Sequence, residues 1–394
     1  MHVCIFSKFL EGKHKGAGGM ERHISLVVEG LIKKGHKVTI ITSRHPKGLK
    51  KEVEKNKIIY YTFSTITRNP FTRPRFFRES AAIFNKIKNE EKIDVIHSQH
   101  EMAWGFFRYC GGYPSITVLH GMTKNEFKGS VSFKPWLLPF WIFIYPYYSY
   151  LERYCIKKSD KVVCVSKTLK KDIIANYNVP QRKVITIENG VDINKFKPMD
   201  TSEVKRLRNK YANKGEKILL YIGSLIMTKG VQLTLEVLPR LLKDHNIKFV
   251  VVGSGAFEKT LKDLTGKLDL DSKVIFTGRV PNENLPKYYN ISDLFVMPTL
   301  RIEGLPYVLL ESLACGIPTI TSRAGGNVSI IKNKKDGILI KRGSRQDLYE
   351  AIEGLLKDKS LMKRLKANAR KEAVSRFNLS KNINKLIKVY SDVI

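Results

Sequence analysis

Short apolar, β-branched runs alternate with amphipathic stretches along this chain, and the alternation occurs twice over. In the first half the runs are His2–Ser7, Lys37–Thr42, Lys57–Phe63, Ile93–His97, Ser115–His120, Lys161–Ser166 and Val184–Glu188. They are nearly continuous in apolar residues rather than alternating, so the strands they predict are buried on both faces. That is the mark of a parallel sheet covered by helices. The stretches between carry the covering faces. Met20–Lys34, for example, places Ile24, Val27, Val28 and Leu31 at helical spacing.

The second half repeats the plan with strands at Lys217–Gly223, Lys248–Gly253, Lys273–Thr277, Asp293–Pro298, Pro318–Thr321 and Gly337–Ile340. Helices fit at Val231–Lys243, Glu258–Leu268, Tyr307–Ala314, Arg345–Leu356 and Leu361–Phe377. The polar segment NGVDINKFKPMD separates the two series. The fold class is α/β, with an N-terminal domain over 1–190 and a second domain over 191–378. A last helix over 379–394 is expected to pack back on the first domain. Two doubly wound, Rossmann-like domains facing a central cleft would place a ligand at the carboxyl ends of the strands.

Charge narrows the partners. The net formal charge is +34, with 33 Lys and Arg against 15 Asp and Glu before Val191 and 37 against 21 after it. So even a spread is no basic tail. It favours anionic partners such as nucleotides, phosphates or anionic lipid. A lysine-rich genome or a heat-adapted source explains much of the excess equally well. No nucleic-acid motif or concentrated basic patch is present. The five cysteines form no CxxC pair, which suits reduced thiols in a cytosolic protein. The opening MHVCIFSKF does not read as a signal peptide.

The stretch EGLPYVLLE carries the chemistry. Pro306 suits the first turn of a helix, which puts Glu303 in the loop before it and Glu311 about a turn and a half inside. A helix entry offers backbone N–H groups and a positive dipole end to a phosphate. A glutamate deeper in the helix can accept both hydroxyl hydrogens of a ribose diol. Alone, the two glutamates read more readily as a cap and a solvated residue.

Their surroundings decide otherwise. Glu303-Gly304-x-Pro-x-x-x-x-Glu311 followed by SLACGIPTI resembles the EX7E motif of the retaining glycosyltransferases of family 4, which have the GT-B fold. GAGGMERH is similar to that family's N-terminal glycine loop, HGM at 120–122 to its acceptor-domain histidine, and SDKVVCVSKTLKKDI and IENGVDINKF to its inter-domain stretch. GSLIMTKG, VVGSG and TGRVPNENLPKYY resemble its nucleotide domain, so the likeness runs nearly the whole length.

The resemblance implies that Glu303 and His120 lie at the reacting sugar. It implies that Gly18, Gly19, Ser224, Lys229, Gly253, Gly304, Leu305 and Glu311 bind the donor, with Glu311 on the ribose. Lys229 is the natural cation for a diphosphate, whose charge grows as it leaves. The family usually has an arginine where this chain has Ser224. A lost charge-assisted hydrogen bond is worth about 1.5–3 kcal/mol, so the site is weakened rather than abolished. Arg301 or Arg323 could compensate. No cofactor or metal is expected. Asp269–Asp271 reads as a turn, and HSQHE at 97–101 as a strand end lining the acceptor cleft.

The run Trp136–Tyr150 has no charged residue. It is shorter than the about 20 residues a spanning helix needs, and Pro139 and Pro146 interrupt it. Pro146 is expected in the first turn of a helix reaching Lys158. Trp136 and Trp141 suit an interfacial surface. So do Arg68, Arg73, Arg75 and Arg78, set among Phe71, Phe76 and Phe77. Relatives often act on lipid-linked acceptors, so a peripheral enzyme at the cytoplasmic face of a membrane is expected, transferring a sugar from a UDP- or GDP-sugar to a glycan or glycolipid hydroxyl. A small soluble or phosphorylated acceptor is the alternative, and a non-catalytic sugar-nucleotide binder is the alternative of another class.

Overall fold

The computed structural model describes residues 1–14, 18–67, 70–125, 127 and 138–394. The chain divides into two units, Met1–Asn189 with Leu379–Ile394, and Gly190–Asn378. In the first, the apolar runs become β1 (His2–Phe6), β2 (Lys37–Thr42), β3 (Lys51–Glu54), β4 (Lys57–Tyr61), β5 (Val95–Gln99), β6 (Ser115–Leu119), β7 (Lys161–Cys164) and β8 (Val184–Thr186). Their order in the sheet is β3-β4-β2-β1-β5-β6-β7-β8, with all neighbours parallel except β3 and β4. Every residue of β1, β5 and β6 is buried, as strands covered on both faces require. Strand β3 has no apolar run to betray it. Its sequence is KEVE, it lies mostly exposed at the sheet edge, and it pairs antiparallel to β4.

Helix α1 (Gly19–Lys33) turns Ile24, Val27, Val28 and Leu31 inward, the face its spacing predicts. The C-terminal helix, Leu379–Ser391, packs on α1 so closely that a Cβ on Gly30 would lie 2.7 Å from Ile383 Cγ1. Its Asn382 side chain donates to the Glu188 carbonyl at 2.9 Å. The last helix is therefore part of the first unit although the whole second unit precedes it.

Helices α2 (Arg73–Glu90) and α3 (Trp104–Tyr109) touch backbone to backbone, and a Cβ on Gly105 would fall 2.0 Å from the Phe77 carbonyl oxygen. Phe76, Phe77, Phe84 and Phe106 fill the core there with Phe6. Helix α4 runs from Leu138 to Lys158 with Pro146 inside it, not in its first turn. A proline ring cannot bond the carbonyl four residues back. That carbonyl belongs to Ile142, whose side chain is exposed, so the missing bond falls on the watery side where it costs least. No helix among the described residues is long and apolar enough to cross a membrane.

The second unit holds β9 (Lys217–Ile222), β10 (Ile247–Val252), β11 (Val274–Gly278), β12 (Leu294–Met297), β13 (Thr319–Ser322) and β14 (Ile338–Ile340), in the order β11-β10-β9-β12-β13-β14 and parallel throughout. Each sheet has one switch point, where the chain leaves a central strand first to one side and then to the other. These are β1/β5 and β9/β12, and loops leaving a switch point part to open a crevice.

Changing Gly105 to alanine should lower the first unit's melting temperature by on the order of 5 °C, from an overpacking cost of about 1–3 kcal/mol. All three tryptophans lie in that unit's sequence, so their fluorescence follows it alone. An unchanged fluorescence melt would refute the close contact.

Candidate active site

At the β9/β12 switch point the second unit gathers a charged cluster around the buried Glu303. Lys229 Nζ lies 2.8 Å from Glu303 Oε1, Thr299 Oγ1 donates to the same oxygen at 3.1 Å, and Arg301 Nε stands 3.8 Å away. Burial pushes the Glu303 carboxyl up. The Lys229 and Arg301 cations and the hydrogen bonds from Lys229 and Thr299 outweigh it and hold the group below the usual carboxylate range. The backbone explains why these residues meet. Lys229 ends a 3-10 turn whose next residue, Gly230, has φ +78° and no room for a Cβ, which would lie 2.0 Å from the Pro298 carbonyl oxygen. Leu300 N donates to the Thr228 carbonyl at 2.8 Å, and Thr299 Oγ1 lies 3.2 Å from the same oxygen. The loop after β9 is thus stitched to the loop after β12.

The Ala324–Gly326 turn after β13 presses on the same place. A Cβ on Gly326 would sit 1.4 Å from the Gly304 carbonyl oxygen, and Gly326 N donates to the Glu303 carbonyl at 2.7 Å. This fixes Glu303-Gly304-Leu305 at the entry of helix α5 (Tyr307–Ala314), which Pro306 caps with extended backbone. Glu311, one helical turn further in, is buried and accepts from Tyr289 Oη at 2.9 Å. A carboxylate has about four acceptor sites, and the bond from tyrosine takes one of them.

The loops after β9 and β10 also touch. A Cβ on Gly253 would lie 1.9 Å from the Gly223 carbonyl oxygen, and one on Gly255 2.3 Å from that of Leu225. Loop-to-loop contact is therefore enough to require both glycines. Ser224 is exposed, with its carbonyl held by Tyr221 Oη at 3.0 Å. Of the two arginines named as substitutes for the missing one, Arg301 joins the Glu303 cluster, while Arg323 is exposed just beyond β13.

In the first unit His23 of α1, His97 of β5, and His100 and His120 of the loops after β5 and β6 come together. His120 stands edge-on to His23, ring centroids 4.5 Å apart, and stacks on His100 at 5.8 Å. Its backbone N–H donates to His100 Nε2 at 3.0 Å, which leaves the His100 proton on Nδ1. His120 Nε2 donates to Gln99 Oε1 at 3.0 Å. Burial, then the neighbouring His23, pulls His97 down to about 3. Burial pulls His23 down to about 4 against a hydrogen bond with Asn189, and lowers His120 well below its usual value with help from His23, His100 and His97. Three of the four are thus neutral near pH 7.

Two family models match the chain. The one described as Glycosyltransferase Family 4 spans residues 17–195, and Glycosyl transferases group 1 spans 203–372. The chain belongs to the family 4 glycosyltransferases. It is 26% identical to N-acetyl-alpha-D-glucosaminyl L-malate synthase of Bacillus anthracis, over 92% of this chain and 91% of that one. It is 25% identical to the Escherichia coli UDP-Gal:alpha-D-GlcNAc-diphosphoundecaprenol alpha-1,3-galactosyltransferase, over 78% of each. Sucrose-phosphate synthase from Thermosynechococcus elongatus superposes with a TM-score of 0.85 at 19% identity, over 99% of this chain and 98% of that one, and shares its fold, GT-B. The family and fold read from EX7E and its companions hold, and the chain is a glycosyltransferase.

Other expected positions fare unevenly. Gly18 and Gly19 open α1, where a Cβ on Gly19 would meet nothing within 4 Å. Steric crowding from the described residues therefore does not explain glycine there. Arg73 is not on a surface. It is buried, ion-paired with Glu101 and laid over the Tyr148 ring at 4.3 Å. Phe76 and Phe77 are core as well, because α2 turns its phenylalanines inward, and of its arginines only Arg75 and Arg78 face outward. Trp141 is half-buried. Arg68 and Trp136 lie outside the described residues. Asp269 follows its helix in the left-handed region at φ +53°, a turn position. No group of three or more His, Cys, Asp or Glu among the described residues is arranged to hold a metal ion.

Several participants were not singled out as residues by the sequence, although His23, Gln99 and Tyr289 lie in stretches read above. Thr299, Tyr289, His23 and Gln99 carry no spacing signature. Glu152 accepts from Thr123 N and Tyr177 Oη at 3.0 and 2.9 Å, and burial raises its carboxyl against those bonds. Standing two residues after the aromatic run, it carries no signature either.

Removing one member of a buried ion pair strands the other. Lys229→Met should cost the second unit about 3–5 kcal/mol at neutral pH, and Lys229→Met/Glu303→Gln less than the single change. The native pair's contribution is full above the ordinary glutamate value of 4.5 and fades as pH falls through the depressed one. Denaturant unfolding followed by circular dichroism checks this. A double variant less stable than the single would refute it.

Proposed function

We propose that this enzyme transfers a sugar, with its anomeric configuration retained, from a nucleotide diphospho-sugar to an acceptor hydroxyl on a lipid-linked glycan. The Lys229–Thr299–Glu303 cluster carries the reading. Glu303 holds the ammonium group of Lys229 in place before any ligand arrives, and a cation already oriented loses nothing to reorganisation as charge builds on the departing diphosphate. Arg301 adds a second cation, so the cluster is net positive despite its carboxylate. Gly304 and Leu305, at the entry of α5, supply backbone amides for a phosphate. Glu311 takes the ribose hydroxyls while Tyr289 holds its other face. Glu303 contacts the sugar hydroxyls. His120, neutral and donating through Nε2, keeps Nδ1 as an acceptor for a further sugar hydroxyl. The donor phosphate takes the acceptor's proton on the same face. In this reading cationic side chains and amides do the phosphate work without a metal.

The lipid acceptor rests on α4. Leu138, Ile142, Phe143 and Tyr150 are exposed along it, Phe143 at 81%, and Arg153, Lys157 and Lys158 follow on the same helix. Apolar side chains beside cations suit the headgroup boundary of an anionic bilayer, and this supports the reading of a peripheral enzyme at the cytoplasmic face. The relative that acts on a diphosphoundecaprenol-linked sugar supports this reading. The malate synthase favours the second one, a small soluble acceptor.

Two measurements test these assignments. In buffer containing EDTA, one of UDP, GDP or ADP should stabilise the protein by about 2.7 kcal/mol at a hundredfold excess over Kd, and Glu311→Ala should abolish the gain. No stabilisation by any nucleotide would point instead to a site disabled at Ser224. The protein should sediment with phosphatidylglycerol vesicles at low salt, and Ile142→Glu/Phe143→Glu should remain in the supernatant. Failure of the native chain to sediment removes the membrane assignment and leaves the soluble acceptor.

A further inference from the structure

His120 begins a short segment, His120-Gly121-Met122-Thr123, that leaves β6, and side chains from two other elements hold its ends. At the first end the His120 backbone N–H donates to His100 Nε2 at 3.0 Å. His100 is itself fixed in the left-handed region at φ +50°, where its N–H donates to the Val118 carbonyl at 3.0 Å and its carbonyl accepts from Ser98 Oγ at 2.7 Å. At the second end the Thr123 backbone N–H donates to Glu152 Oε2 at 3.0 Å. A backbone N–H only donates, so both bonds have one direction, and the second stands whether the carboxyl is ionised or protonated. Between the anchors Gly121 has no side chain to pack, and nothing lies within 4 Å of where a Cβ would be.

A glutamate is costly at position 152. Helix α4 turns it inward, 1% exposed, beside the buried Leu151, Cys155 and Ile156. Its Oε2 also lies 2.9 Å from Tyr177 Oη, on the helix Lys167–Tyr177, but its Oε1 is buried with no hydrogen-bond partner among the described residues. A half-satisfied buried carboxyl costs stability that an apolar side chain of similar size would not. Packing therefore does not account for it. What an apolar residue could not do is hold Thr123.

We propose that Glu152 is a positioning residue for the transfer reaction: by holding the Thr123 N–H it fixes the far end of the segment that begins at His120, and so the place of the His120 ring. The inference rests on the role given to His120 above. With that anchor gone, only His100 restrains the backbone of the segment, and Gly121 lets the peptides on either side of it turn. His120 then drifts from the sugar hydroxyl it must meet, and a displacement of about 1 Å is enough to cost on the order of a hundredfold in rate.

The test compares three variants. Glu152→Met removes the acceptor and keeps the bulk, Glu152→Gln keeps an acceptor oxygen without the charge, and Tyr177→Phe removes the other bond to the carboxyl without touching the segment. Amide hydrogen exchange at Thr123 and His120, followed by NMR, should quicken at least about tenfold in Glu152→Met and stay within about threefold of the native rates in the other two. Turnover is followed with the sugar nucleotide, among UDP-glucose, UDP-galactose, UDP-N-acetylglucosamine and GDP-mannose, that the native enzyme uses. The kcat should fall about ten- to a hundredfold in Glu152→Met with donor KM changed less than about threefold, and Glu152→Gln should restore it. If Glu152→Met does not fold, Glu152→Asp, which draws the oxygens back by one methylene, takes its place with the same results expected. Unchanged exchange at His120 overturns the proposal. So does a Glu152→Gln variant that behaves like Glu152→Met, because the charge and not the bond to Thr123 would then be responsible. A Tyr177→Phe variant that reproduces both effects overturns it as well, since helix packing would then suffice. Full kcat in His120→Ala would instead remove the role given to His120, while the exchange rates still decide whether Glu152 holds the segment.

Discussion

Strands buried on both faces leave a chain one place for polar chemistry, which is where the strands end. Every strand of the second sheet is parallel, and in the first only the pairing of β3 with β4 is not, so in each sheet those ends lie along one edge. The cluster of Lys229, Thr299 and Glu303 and the cluster of His97, Gln99 and His120 both occupy such edges, beside a switch point. What fixes the charged cluster there is contact between backbones rather than side-chain packing. Gly230 against Pro298, Gly326 against Gly304 and Gly253 against Gly223 leave no room for a Cβ. Each side chain of the charged cluster inherits its position from two loops that cannot slide past one another.

Electrostatically the two clusters are opposites. In the second unit a buried carboxylate is held ionised by two cations and a hydroxyl. In the first, burial and mutual repulsion keep imidazoles uncharged. One environment is built to receive charge, the other to read hydroxyl groups by the direction of hydrogen bonds.

What the sequence disclosed follows the same division. Runs such as Lys37–Thr42 and Val231–Lys243 were legible because periodicity reports burial, and Glu303, Lys229 and Glu311 because the stretches that hold them resemble the motifs of a known family. Strand β3 was not legible, since an exposed edge strand needs no apolar pattern. Arg73 looked like a surface residue because one basic side chain in a basic stretch resembles its neighbours, and only the presence of Glu101 shows that it turns inward. Pro146 looked like a helix start because proline carries that preference, and a water-facing carbonyl at Ile142 overrode it. Tyr390, whose Oη lies 2.6 Å from His97 Nδ1, could not be connected with His97 at all. They are 293 positions apart, and a single tyrosine on an amphipathic helix reads as core.

The return of Leu379–Ser391 to the first unit has a consequence for the order in which the protein is made. Synthesis is vectorial, and domains generally fold as they emerge. The first sheet is complete by Thr186, yet the helix that covers Gly30 and holds the Glu188 carbonyl leaves the ribosome only after all of the second unit. Through that interval the face of α1 that receives Ile383 stays open to solvent. The unit translated first is therefore the one finished last.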